Sequence, residues 1–235
     1  MIGLDRPLKP EWIYELLQMI KIGDDPSEYN APFELIAKEL VGKEGKRKVR
    51  TVIFRSFVYA FQPKRVKIQN NIFLEWSSQN SLDYMRPIYL SKIIMDYEIT
   101  RFIINKMDLS VDKSGYLSSR ILTRKMVQEF GDRDVVKRSV RSFLKTLVHF
   151  NLLKQHGVQD YQILEKFELN ADQIRDFLFL YAESFLKSKM IDLSRINTSI
   201  IYFYNKIDFM QIARKYHGKD WEYIRETSRS QLLLK

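Results

Sequence analysis

The stretch DRDVVKRSVRSFLKTLVHF, Asp132–Phe150, decides how this chain is read. Advancing about 100° per residue from Val136 places Val136, Val140, Phe143, Leu144, Leu147 and Phe150 on one side of a helix. Lys137, Arg138, Arg141 and Lys145 fall on the other. One face is built to bury and the opposite one is almost purely cationic. Asp134 is the only acid near the cationic face, and it lies at the N-terminal end, where the helix dipole favours negative charge. Solvated helix faces usually mix signs, because carboxylates and ammonium groups four residues apart support each other. Unpaired cations repel, and a partner with regularly spaced phosphates relieves that repulsion. Each neutralised phosphate releases counterion, which supplies affinity without sequence information. Arginine also reaches guanine edges in the major groove, so Arg138 and Arg141 are the candidates for base contact, with Ser139 and Ser142 at phosphate. The competing reading is an ordinary amphipathic helix with a solvated face.

The flanking sequence carries the same theme. SSRILTRKMVQEF predicts a helix from Ser118 or Ser119, with Arg120, Arg124 and Lys125 on its polar side. Gly131-Asp132 predicts a tight turn, Arg133 adds a cation there, and Asp132 or Asp134 is placed to cap the next helix. That helix is expected to run to about Leu153. LLKQHGVQDYQILEKFEL then reads as two short strands around a glycine-containing loop that offers Gln155, His156 and Gln159.

Upstream, Pro10 opens a helix whose stripe is Trp12, Ile13, Leu16, Leu17 and Ile20. Further helices are expected over Pro32–Val41 and Lys46–Phe61, a short strand in RVKIQNNIFLEW, a soft boundary at Ser78–Asp83 and a long helix over Arg86–Met107. Downstream, helices are expected over Ala171–Met190, Asn197–Tyr204 and Phe209–Tyr216, then a terminal hairpin turning near Thr227-Ser228. The expected fold is mainly α with small β-hairpins. It divides into a basic helical N-terminal part (1–80), a central part with a long leading helix (81–170) and a helical C-terminal part with the terminal hairpin (171–235).

The 235-residue chain is 45% apolar, enough for a packed core, and carries a formal net charge of +10, which favours anionic partners. Residues 43–67 hold nine Lys or Arg and one acid, Glu44, and so most of that excess. Lys43, Lys46, Arg47, Lys48 and Arg50 crowd a glycine-punctuated helix start, where free N–H groups already carry positive character; such a place suits a phosphate. Phe54, Phe57 and Phe61 follow at helical spacing and are expected in the core.

Catalysis is not expected. There is no cysteine, hence no disulfide, thiolate zinc site or cysteine nucleophile. His149, His156 and His217 lack metal-ligand spacing, and His149 is expected at the surface or as a neighbour of the hairpin. GKEGK lacks P-loop spacing, Glu44 and Lys46 form only half of one nuclease pattern with Asp24 and Asp25 in a loop, and no nucleophile elbow occurs. No cofactor is implied. MIGLDRPLKP has no signal-peptide pattern and no apolar run approaches a membrane span, so a soluble, cytoplasmic protein with no membrane partner is expected.

The block SSRILTRKMVQEFGDRDVVKRSVRSFLKTLVHFNLLK resembles the winged-helix superfamily, with VVKRSVRSFLKTLVHFNLL in the place of the recognition helix and KQHGVQDYQILEKFEL in that of the wing. The wider arrangement, closing on WEYIRE and QLLLK, is similar to the small DNA-binding component of BREX phage-defence systems. These resemblances imply non-catalytic binding of double-stranded DNA in bacterial or archaeal antiviral defence. The rival expectation is an adaptor or scaffold subunit that binds other protein subunits, with an interface contributed by the aromatics Phe177, Phe179, Tyr181, Phe185, Tyr202, Phe203 and Tyr204, although aromatics at such spacing more often belong to the core.

Overall fold

A computed structural model describes residues 3–62, 67–225 and 229–235. It is mainly helical, with two small three-stranded antiparallel sheets. None of its described helices is long and apolar enough to cross a membrane.

The N-terminal part begins with α1 (Pro10–Met19), opened by proline at its first position and burying Trp12, Ile13, Leu16 and Leu17. α2 (Asn30–Ile36) is shorter than expected and relaxes into turns at Ala37. α3 (Lys43–Ile53) starts three residues before the expected position, behind Gly42 at φ 87°, and runs on as a π-helical turn over Phe54–Val58. The expected strand near residue 70 is instead a helix, α4 (Ile72–Gln79). Asn71 decides this: its side-chain oxygen accepts from the N–H groups of Phe73 (2.9 Å) and Leu74 (3.3 Å), satisfying donors that a helix start would otherwise leave free. Arg65 and Val66, the first two residues of that stretch, lie outside the described residues.

The single long helix expected next is two. α5 (Leu82–Asp96) starts at a Ser81 cap, and α6 (Glu98–Met107) follows a break at Tyr97. Local side chains secure the break. Thr100 Oγ1 donates to the Tyr97 carbonyl (2.6 Å), and Arg101 donates to the Ile94 and Met95 carbonyls (2.7 and 2.8 Å), taking up acceptors at the end of α5.

The central part is β1 (Leu117–Ser118), α7 (Ser119–Phe130), α8 (Asp134–His149), β2 (Leu153–His156) and β3 (Asp160–Ile163). The sheet order is β1-β3-β2, so a strand not anticipated from sequence joins the hairpin. Two residues are too few for alternation to reveal. α8 ends before the expected Leu153 because Asn151 turns left-handed (φ 59°) and the Leu152 N–H bonds back to the Leu147 carbonyl (2.9 Å). Neither Asp132 nor Asp134 caps α8; Arg133 occupies the cap position in extended conformation, with no side-chain cap. Leu122, Met126, Val136, Val140, Phe143, Leu144 and Leu147 form the core under the sheet, and α6 packs against both α7 and α8.

The C-terminal part opens with α9 (Ala171–Leu180), capped reciprocally by Asn170 and Gln173. The expected continuation to Met190 is a π-helical turn over Tyr181–Leu186, and then a strand, β4 (Met190–Asp192). Asn197–Tyr204, expected helical, consists of turns. α10 (Phe209–Lys215) precedes β5 (Trp221–Arg225) and β6 (Ser230–Leu234), and the second sheet has the order β4-β6-β5. The turn expected near Thr227-Ser228 lies outside the described residues. One connected apolar core runs through all three parts.

Candidate nucleic-acid interface

α8 buries more than the one face its apolar stripe requires. Ser139, Ser142 and Thr146, at spacings of three and four, are buried as well, so neither serine is placed to touch a phosphate. Their hydroxyls bond inward along the helix: Ser139 to the Val135 carbonyl (2.7 Å) and Thr146 to that of Ser142 (2.8 Å). That small-residue flank admits the extended segment before α1. The Leu8 N–H donates to Thr146 Oγ1 (3.0 Å), and a Cβ added at Gly3 would lie 2.8 Å from Val135 and 2.9 Å from Ser139. The spacing Ser139, Ser142, Thr146 was the signal available in the sequence for this second contact face.

What α8 leaves to solvent is a narrow stripe of Asp134, Arg138, Arg141 and Lys145, with Lys137 half-exposed beside it. Lys137 is not unpaired, because it forms an ion pair with Asp132. Arg138 and Arg141 reach only the carbonyls of Asp134 and Lys137, each at 3.4 Å. Arg120, Arg138, Arg141 and Lys145 form no ion pair among the described residues.

A groove of about 590 Å³ lies between the start of α7, the exposed stripe of α8 and the β2–β3 hairpin. Ser119, Arg120 and Thr123 form one wall, Lys137, Arg141 and Lys145 the floor, and Gln155, Val158, Gln159 and Tyr161 the other wall. Four cations line it and no carboxylate does. The Ser119 N–H bonds the Gln159 carbonyl (2.8 Å), tying the start of α7 to the hairpin and fixing the groove's width. Val158, at the hairpin tip, is 86% exposed.

The remaining expected contacts lie elsewhere. Arg138 is on the same stripe of α8 but outside the groove lining; Arg124 is exposed and Lys125 half-buried on α7. Arg133 turns its Nε back to the Phe130 carbonyl (3.1 Å) at the end of α7.

Three cations at the start of the second basic region are engaged by the protein itself. Arg47 pairs with Glu44 (2.8 Å), Lys46 donates to the Glu34 carbonyl (3.0 Å), and Arg50 donates to the Pro26 carbonyl (2.9 Å) while lying over the Phe54 ring. Burial holds the Arg50 guanidinium below the usual arginine range. Lys43 and Lys48 stay exposed and form no ion pair among the described residues. Three of the five cations at this helix start have partners within the protein, and Lys43, Lys46, Arg47 and Arg50 line a pocket of about 260 Å³ together with Glu34 and Glu44.

His149, expected at the surface or beside the hairpin, is partly buried. Its ring lies 6.2 Å from that of Trp12. Burial first, then the charges of Lys9 and Lys145, push it down to about 4. The three histidines are dispersed, and among the described residues no three His, Asp or Glu side chains gather as a metal-binding group. Asp24 accepts from the Tyr29 hydroxyl (2.6 Å) and Asp25 caps the turn at Ser27 (2.8 Å), so both have local structural roles.

Comparison of the chain with protein-family models, curated proteins and solved structures returns no match.

Proposed function

We propose that this protein binds double-stranded DNA without catalysing a reaction, and that residues 110–170 act as a winged-helix module. In this reading α8 enters the major groove, the β2–β3 hairpin is the wing, and Arg120, Lys137, Arg141 and Lys145 meet phosphates while Arg138 reaches toward base edges. The observation that carries it is the groove with four cations and no carboxylate. A cleft of one sign between low-dielectric walls focuses the field and concentrates an anionic ligand. Lys43 and Lys48 are the cations of α3 left free to add backbone contacts. Sequence preference is expected to be modest, because phosphate contacts dominate the exposed chemistry. A cytoplasmic protein of antiphage defence is the setting the sequence resemblance suggests.

The test is fluorescence anisotropy with a random duplex of about 20 base pairs in rising salt. Four groove contacts predict log K falling against log salt with a slope of about −3.6, and contacts by Lys43 and Lys48 steepen it toward about −5. Absence of binding at about 50 mM salt overturns the reading.

One observation favours a protein partner in addition. The outer face of the second sheet presents Met190, Leu233 and Ile224, exposed by 46%, 40% and 39%. Met190 and Leu233 are directly paired across strands. The aromatics of the C-terminal part lie in the core or against it: Phe177, Tyr181, Phe203 and Tyr204 are buried, and Phe179, Phe185 and Tyr202 are partly buried against the core.

A further inference from the structure

Departures from ordinary local geometry concentrate at one cavity. Among the described residues other than glycine, Phe61 (φ 66°), Asn151 (φ 59°) and Lys187 (φ 52°) have positive φ. Asn151 ends α8 and Lys187 ends the Tyr181–Leu186 turn, both as left-handed helix ends, which leaves Phe61 as the one outside a helix end. Phe61 and Lys187 both line a cavity of about 510 Å³. One of the two π-helical turns among the described residues, Tyr181–Leu186, also leads there. Tyr181–Leu186 supplies Glu183, Ser184 and Phe185, and Phe54–Val58 is followed within three residues by Phe61. The α5–α6 break supplies Asp96 and Glu98. Lys92, the one lysine buried among the described residues (6% exposed), faces the same space, and Ser184 Oγ is buried without a hydrogen-bond partner. π-turns and left-handed non-glycine residues disfavour folding locally and gather at functional sites.

The side chains define the ligand's chemistry. Lys92 is committed to Asp96 (2.5 Å). Arg101 uses one guanidinium nitrogen on the Ile94 and Met95 carbonyls and keeps the others. Glu98, Glu183 and Lys187 form no ion pair among the described residues. Two cations and two carboxylates therefore remain, a net charge of zero. A nucleotide phosphate would meet the carboxylates and a polyamine would meet the cations. Met95 adds apolar wall, and the Phe61 and Phe185 rings lie under the Lys92 ammonium (5.4 Å) and the Arg101 guanidinium (5.1 Å). The volume is in the ordinary range for small-molecule sites.

We propose that this cavity binds a free α-amino acid with an apolar side chain. Its carboxylate faces Arg101 and Lys187, its ammonium faces Glu98 and Glu183, and the Ser184 hydroxyl completes the polar contacts. The inference stands apart from the DNA reading.

The experiment is isothermal titration calorimetry of the full chain with each of the twenty free amino acids, with ATP and spermidine as class controls. At least one apolar amino acid is expected to bind with Kd at or below about 1 mM. Its N-acetylated form, which lacks the ammonium charge, is expected to bind about tenfold more weakly or worse, as is the free amino acid to a Glu98→Gln/Glu183→Gln variant. The inference is overturned if no amino acid binds at about 10 mM, if ATP or spermidine binds instead, or if the acetylated form binds equally well.

Discussion

At the residue scale the groove cations and the buried charges behave differently, because solvent reaches one set and not the other. Arg141 is exposed and reaches only a backbone carbonyl at 3.4 Å, so Arg141→Glu should leave thermal stability within about 0.5 kcal/mol of wild type. Lys92 and Asp96 form a largely buried pair at 2.5 Å, with side chains 8% and 19% exposed. Removing one member strands the other, so Asp96→Ala should cost about 3 kcal/mol in chemical denaturation; a loss under about 1 kcal/mol would show that water reaches Lys92. His149 gives a pH signature. Its folded form is pushed down from 6.5 to about 4, so the unfolded chain takes up a proton there first as pH falls. Stability present above pH 6.5 should drain away toward about pH 4. Denaturation midpoints of wild type and His149→Gln, followed from pH 7 to about 4, should diverge; parallel profiles would contradict the partly buried placement beside Trp12. The apolar stripe and cationic stripe of α8 were legible in the sequence because helical periodicity alone assigns them. The engagement of Lys46, Arg47 and Arg50 was not, since their partners include the carbonyls of Glu34 and Pro26, and a carbonyl leaves no mark in composition.

At the scale of elements, legibility follows how local the deciding interaction is. α1, α7, α10 and the hairpin strands were readable from periodicity and turn residues. α4 was missed because the alternation in that stretch is loose, while the Asn71 cap that settles it is a single side chain. The break at Tyr97 depends on Thr100 and Arg101 bonding backward, in a stretch whose apolar pattern continues across it. Two glycines test this level. Gly131 joins α7 to α8 at φ 81°, ψ 163°, a conformation nearly reserved for glycine. Gly131→Ala should therefore destabilise by about 1–3 kcal/mol and change the angle between α7 and α8, and with it duplex affinity. Gly3 sits where a Cβ would press on Val135 and Ser139. Gly3→Val should detach the extended segment from α8 and lower the melting temperature, with hydrogen exchange rising at the Leu8 amide. An unchanged Leu8 amide would refute that contact.

At the scale of the whole molecule, one core couples the parts. α8 is held on one side by α6 and α7 and on the other by the segment that leads into α1. Only its narrow cationic stripe remains for a ligand, which makes a rigid presentation of charge the molecule's clearest external feature. The most direct measurement is anisotropy of a labelled random duplex of about 20 base pairs, titrated with wild type and with an Arg138→Glu/Arg141→Glu variant at matched salt. The account predicts salt-sensitive binding by wild type and its collapse in the variant, with both proteins melting alike. Equal binding by the two proteins would contradict it and move the ligand away from α8.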